Sequence, residues 1–141
     1  MNCLLRITGT ARMDDAEDTT EVITRGIARE LSGEQGGGWS FTYNTSEEDR
    51  PDLIVRNVVT VKDGCAVIRR SGAVNAELRV VPGETNLCRY DSSFGTLVFG
   101  VTGTGVTIVR EEKRIVAELS YELSDSGGPI SLQTVRITAE E

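Results

Sequence analysis

At 141 residues the chain can form one domain that buries ~70% of its unfolded surface, so a core needs neither disulfide nor metal. A formal charge of −7, with no more than two basic residues adjacent, lacks the basic face a nucleic-acid binder uses to displace counterions. The absence of histidine removes histidine triads, histidine general bases and histidine-ligated zinc or haem, and no apolar run approaches the ~20 residues of a membrane helix.

In chain order, Met1 to Ile7 carries a charge inside its apolar patch and no small-residue cleavage site. It does not read as a signal peptide, and a cytoplasmic protein is expected. Residues 3–11 alternate, with Cys3, Leu5, Ile7 and Gly9 on one side, and form a strand. Asp14 to Glu21 reads as an acidic turn or mobile loop. Residues 22–31 return as a second strand with Gly26 at a bend or bulge, a short helix over 21–32 being the alternative. Ser32 to Gly38, with four glycines, is a loop.

Trp39 to Tyr43 alternates aromatic and hydroxyl residues as a half-buried strand, which the polar run Ser46 to Pro51 ends. Asp52 to Val61 puts Leu53, Val55, Val59 and Val61 on one face, with Asn57 among them. Lys62-Asp63-Gly64 is a hairpin turn and Cys65 to Arg70 the returning strand. Ser71-Gly72 turns, Glu77 to Val81 extends, Pro82-Gly83 turns, Thr85 to Tyr90 extends, and Phe94-Gly95 opens a strand through Phe99. Thr102 to Gly105 is a turn or bulge before a strand at Val106 to Arg110 and a hairpin tip at Glu111 to Lys113. Arg114 to Leu123 turns Ile115, Ala117, Leu119, Tyr121 and Leu123 one way. Ser124 to Pro129 is a loop, Ile130 to Thr138 the last strand, and Ala139 to Glu141 a frayed end. Short alternating strands joined by hairpin turns predict an all-β protein over residues 1–141, a closed antiparallel barrel without free edges. Cys3, Cys65 and Cys88 form no CxxC pair and read as reduced core thiols.

The segments Arg70 to Val74, Val81 to Thr85, Tyr90, Phe94-Gly95 and Tyr121 to Leu123 stand in the order and spacing of the YwiB-like proteins. The chain resembles that family from about Met1 to Ile137, most strongly from Val58 to Leu123. The resemblance implies a small bacterial, cytoplasmic, calycin-like (lipocalin-like) barrel of eight to ten strands and assigns it no chemistry.

Such a barrel is either filled by its side chains or holds one small ligand. Arg70 ends its strand and belongs at the barrel rim, where it would bind an anionic head group beside the Tyr90 or Tyr121 hydroxyls. The competing reading pairs Arg70 with Glu77 or Glu118 to close the barrel end. Alternation sends Arg69 to the opposite face. Arg136 and Thr138 only faintly match an arginine–tyrosine carboxylate clamp and read as a solvated face. Asn57 is either a ligand contact or bonded to backbone at a bulge. Glu111-Glu112 and Glu47 to Asp49 read as solvated, and no two glutamates stand two apart as an inward polyphosphate site requires. Neither glycine-rich stretch has the Lys-Ser/Thr ending of a phosphate loop.

The expected function is therefore a non-enzymatic module binding a small apolar or anionic amphipathic ligand at the barrel mouth, through Arg70, Tyr90 and Tyr121, with no cofactor or metal. The second reading is a structural or interaction barrel with a filled interior, a homodimer through Trp39 to Tyr43 or another apolar patch. The third is an enzyme without histidine chemistry.

Overall fold

The computed structural model describes residues 1–31, 37–47 and 50–141. Its strands are β1 (Asn2–Met13), β2 (Ala16–Leu31), β3 (Gly38–Glu47), β4 (Arg50–Lys62), β5 (Cys65–Gly72), β6 (Asn75–Val80), β7 (Thr85–Ser92), β8 (Gly95–Arg110), β9 (Arg114–Asp125) and β10 (Gly128–Glu140). They form one closed barrel in sequential order, every neighbouring pair antiparallel. Strands β1 and β10 close the ring, in register from Leu4 opposite Glu140 to Arg12 opposite Leu132. Each connection is thus a hairpin, which is what the regular turn signals specify. The described residues contain no helix, hence none long and apolar enough to cross a membrane.

Several boundaries differ from the sequence reading. Glu17 to Glu21 is strand, because the turn is confined to Asp14 and Asp15 and pairing resumes at once with Met13 opposite Ala16. Asp14 takes the left-handed conformation, φ 49°, which aspartate tolerates better than most residues. No bulge marks Gly26 in the β1–β2 register. A Cβ there would run into Leu5 Cδ1 and lie 2.5 Å from the Thr42 carbonyl oxygen, so glycine permits a close approach of strands. Ser71 and Gly72 belong to β5. The two runs on either side of Thr102 to Gly105 are a single strand, β8, with the glycines forming a bulge between Gly103 and Gly105. Ser124 and Asp125 extend β9, and Gly128 already opens β10. Ala139, read as frayed, is paired and fully buried. Within the expected glycine-rich loop, residues 32–36 lie outside the described residues, as do 48–49 of the polar break.

Pairing stacks the inward side chains of β3 to β7 in tiers. Trp39, Val61, Ala66 and Val80 are successive cross-strand partners in the lowest tier, and Phe41, Val59, Ile68 and Leu78 in the next. All eight are buried and join Cys3, Leu5, Val101, Leu119 and Ile137 in one apolar core. Below it the Arg110 guanidinium lies 5.5 Å from the Trp39 ring centroid and reaches Glu30 at 3.5 Å, covering the lower end. Trp39, Phe41 and Tyr43 therefore point inward, so the strand proposed as a dimer surface offers its aromatics to the barrel and not to a partner. Cys3 and Cys88 are buried free thiols, and Cys65 is partly exposed.

Candidate functional site

The third tier up is different in kind. Tyr43, Asn57, Arg70, Ala76 and Tyr90 are successive cross-strand partners on β3 to β7. On the facing wall Tyr121, Gln133, Ala11 and Asp18 form the equivalent row across β9, β10, β1 and β2. Polar groups thus stand at the inward register positions that apolar side chains hold one tier below. The small residues Gly9 and Ala11 leave the space between the rows open. The result is a cavity of about 470 Å³ whose lining includes Tyr43, Asn57, Arg70, Tyr121 and Gln133 above Val59 and Ile68. A second hollow of about 410 Å³ adjoins it at the rim, with Leu53, Val55, Val74, Tyr90 and Phe94 among its walls. Arg70 lines both. The interior is solid over two tiers and hollow above them.

Arg70 has neither of the carboxylate partners expected for a closing ion pair. Strand alternation explains this. Glu77 points outward and pairs with Arg69 at 3.6 Å, and Glu118 lies on the outer face of β9 opposite Arg136. Among the described residues no acid lies within ion-pair distance of Arg70. Its positive charge is felt inside the barrel, at both Tyr43 and Tyr121.

Asn57 is buried, and its Nδ2 donates to the Tyr43 carbonyl at 3.4 Å, the Thr45 hydroxyl at 3.0 Å and the Val55 carbonyl at 3.2 Å. These bonds hold the β3–β4 wall together, with the register shift lying further up at Ser46/Glu47. Tyr90 is half-buried, its ring 6.4 Å from that of Phe99 at 40°. Gln133 donates to the Ser131 hydroxyl at 2.9 Å. Arg136 and Thr138 line a groove on the outer surface with Leu4 and Arg6, away from the cavity. Glu111 is engaged by Arg114 at a hairpin tip. Among the described residues no group of three or more Cys, Asp or Glu side chains is arranged to hold a metal ion.

Of the three residues expected at the mouth, Arg70 lines both hollows, Tyr90 only the rim hollow and buried Tyr121 only the inner cavity. Tyr43, Gln133 and Asp18, which complete it, went unnoticed in the sequence. Gln133 carried a signal, a polar side chain at an inward position of an alternating strand, the pattern that singled out Asn57, whereas Asp18 lies in a stretch without apolar alternation.

Burial pushes the Tyr43 and Tyr121 hydroxyls above their ordinary 10.0, with Arg70 pulling part of the way back. Burial likewise raises the Cys3 and Cys88 thiols above 9.0. For such groups the unfolded chain loses its proton first, so stability is complete below the ordinary values and is lost as pH rises through the raised ones. The urea midpoint should hold to about pH 8 and fall steadily above pH 9. Above pH 10 the fall should be shallower in a Tyr43→Phe/Tyr121→Phe variant, and an identical slope would show that neither tyrosine is buried as described.

The fold has a match among solved structures. The crystal structure of the ywiB protein from Bacillus subtilis aligns with a TM-score of 0.80 at 22% identity, covering 99% of this chain and 90% of that one, a likeness of fold. In sequence, the chain is 27% identical over 86 residues to the "Uncharacterized beta-barrel protein YwiB" of Bacillus subtilis (strain 168), a match spanning 61% of each. Residues 5–137 match the family model described as "Domain of unknown function (DUF1934)", so nearly every strand of this barrel is matched and the chain belongs to that family.

Proposed function

We propose that the protein is a non-enzymatic, calycin-like binding module that takes a small anionic amphiphile into the open end of its barrel. The observation that carries this reading is Arg70, a cation without a carboxylate partner among the described residues, at the junction of a polar-rimmed cavity and an apolar groove. Exposed ion pairs contribute little to stability, so an unpaired arginine placed between two hollows is better explained by what it binds. Tyr43 and Tyr121 keep neutral hydroxyls that donate to the same anion, and Tyr90 sits at the rim. The walls of Leu53, Val55, Val74 and Phe94 take the apolar part, Phe94 being 98% exposed until something covers it. Three free cysteines fit a reducing compartment, and the module is assigned to the cytoplasm.

Calorimetric titration with decanoate and with decanol tests the reading. Decanoate should bind with one equivalent per chain, and decanol about tenfold or more weakly, since it lacks the charge that Arg70 holds. Equal binding of acid and alcohol, or none of either, would refute the anionic site. Native mass spectrometry of protein purified without detergent should show an acidic molecule retained in part of the population.

A further inference from the structure

The barrel wall is incompletely paired at two seams: β6 meets β7 only at Asn75 and Ala76, and β2 meets β3 over only part of its length. β2 pairs with β1 over Ala16 to Ile27, from Met13 opposite Ala16 to Asn2 opposite Ile27. It pairs with β3 only from Ile27 opposite Thr42 to Leu31 opposite Gly38. Above Gly26 the two strands part. Among the described residues Ala16 to Gly26 have no strand partner on the β3 side, and Tyr43 to Glu47 pair with β4 alone. The fork opens at Gly26, where the close contact with the Thr42 carbonyl oxygen ends. Inside the fork, Asp18, Thr20 and Val22 line the cavity. Outside it, Thr24, Arg25, Tyr43 and Asn44 line a surface hollow, so Tyr43 borders space on both sides.

An unpaired strand edge carries a row of backbone N–H and C=O groups. An acyl chain gains nothing from such a row, whereas a polypeptide backbone satisfies it. Arg70 faces the same cavity and fits a carboxylate. On the outward face of this edge stand Glu17 and Glu21, which favour basic side chains in an added strand.

We propose that the open edge of β2 and the cavity beside it bind the C-terminal segment of an extended polypeptide, its backbone added to β2 and its terminal carboxylate held by Arg70. This rests on the reading of Arg70 as an anion site and names the ligand class that the site takes. Apolar side chains of the peptide point into the barrel and basic ones point out beside Glu17 and Glu21.

The test uses the peptide acetyl-Val-Lys-Val-Lys-Val with a free carboxylate, the same peptide as its amide, and two versions N-methylated at alternate amides. Decanoate is the parallel probe. The acid should bind about tenfold or more tightly than the amide, and Arg70→Gln should bring that ratio close to one. One N-methylated set, the one facing β2, should weaken binding about tenfold while the other has little effect. Hydrogen exchange should slow at amides within Ala16 to Gly26 when the acid is bound. Decanoate binding without peptide binding, equal effects of both N-methylated sets, or peptide binding without protection of β2 would overturn the strand-addition proposal and leave the anion site standing. Failure of decanoate and peptide alike would remove both.

Discussion

Arg70→Ala should weaken decanoate binding by roughly 10- to 100-fold and leave the melting temperature unchanged. The first expectation follows from the ~1.5–3 kcal/mol that a hydrogen bond to a charged group contributes. The second follows from what surrounds the residue. Arg70 is exposed and has no acid in ion-pair range among the described residues, so its removal takes away no ion pair and no buried packing. Arg69→Ala is the internal control. It lies one residue away on the outer face, paired with Glu77 at 3.6 Å, and its loss should alter neither quantity measurably. An Arg70→Ala protein that melts several degrees lower and binds decanoate as tightly as before would mean that the residue belongs to the wall and not to the site.

That the two adjacent arginines differ was readable from alternation alone, since one must face in and the other out. The facing strand Arg114 to Leu123 was equally legible, because its five inward apolar residues have no competing period. Asn57 stood out for the same reason in reverse, as an amide where the pattern asks for an aliphatic side chain. What alternation within a strand cannot supply is register between strands. The row Tyr43–Asn57–Arg70–Ala76–Tyr90 exists because four hairpins bring these positions level, and each turn is one residue away from a different row. The sequence names Arg70 and Tyr90 as candidates without showing that they share a tier, and leaves Tyr43 looking like an ordinary core aromatic.

The acidic run Glu17 to Glu21 misled for a different reason. Charge density suggests loop, yet Thr19, Thr20, Val22 and Ile23 are β-branched residues in a strand that is open to solvent on both faces at its upper end. A strand with no buried face in that stretch has no apolar alternation to betray it. The same openness makes the fork between β2 and β3 invisible in sequence, since nothing in local composition records a missing neighbour. In β8, Gly103 disguised one strand as two. A Cβ at that position would run into the Val81 carbonyl, and the Gly103 N–H donates to the Glu84 carbonyl at 3.1 Å, so the glycine seats the Val81 to Glu84 turn and does not end the strand.

Stability should reside at the opposite end of the barrel from binding, and Phe41→Ala is the sharpest probe of that division. Phe41 is 0% exposed and the largest of the fully buried side chains, set in the middle tier beside Val59. Truncation to alanine should cost ~3–5 kcal/mol, because the transfer energy of the ring is lost and a tier fixed by cross-strand pairing collapses only partly into the gap. For a chain of this length that is a fall of about 10 °C or more in melting temperature, with Phe41→Leu recovering most of it. Phe41 does not line the ligand cavity, so decanoate affinity measured well below the transition should change by less than about threefold. A small loss of stability would mean that the middle tier is already loose and the hollow continues beneath Arg70. In that case the ligand would extend down the barrel axis, the apolar rim at Phe94 would lose its role, and length selectivity among alkanoic acids would shift toward chains longer than decanoate.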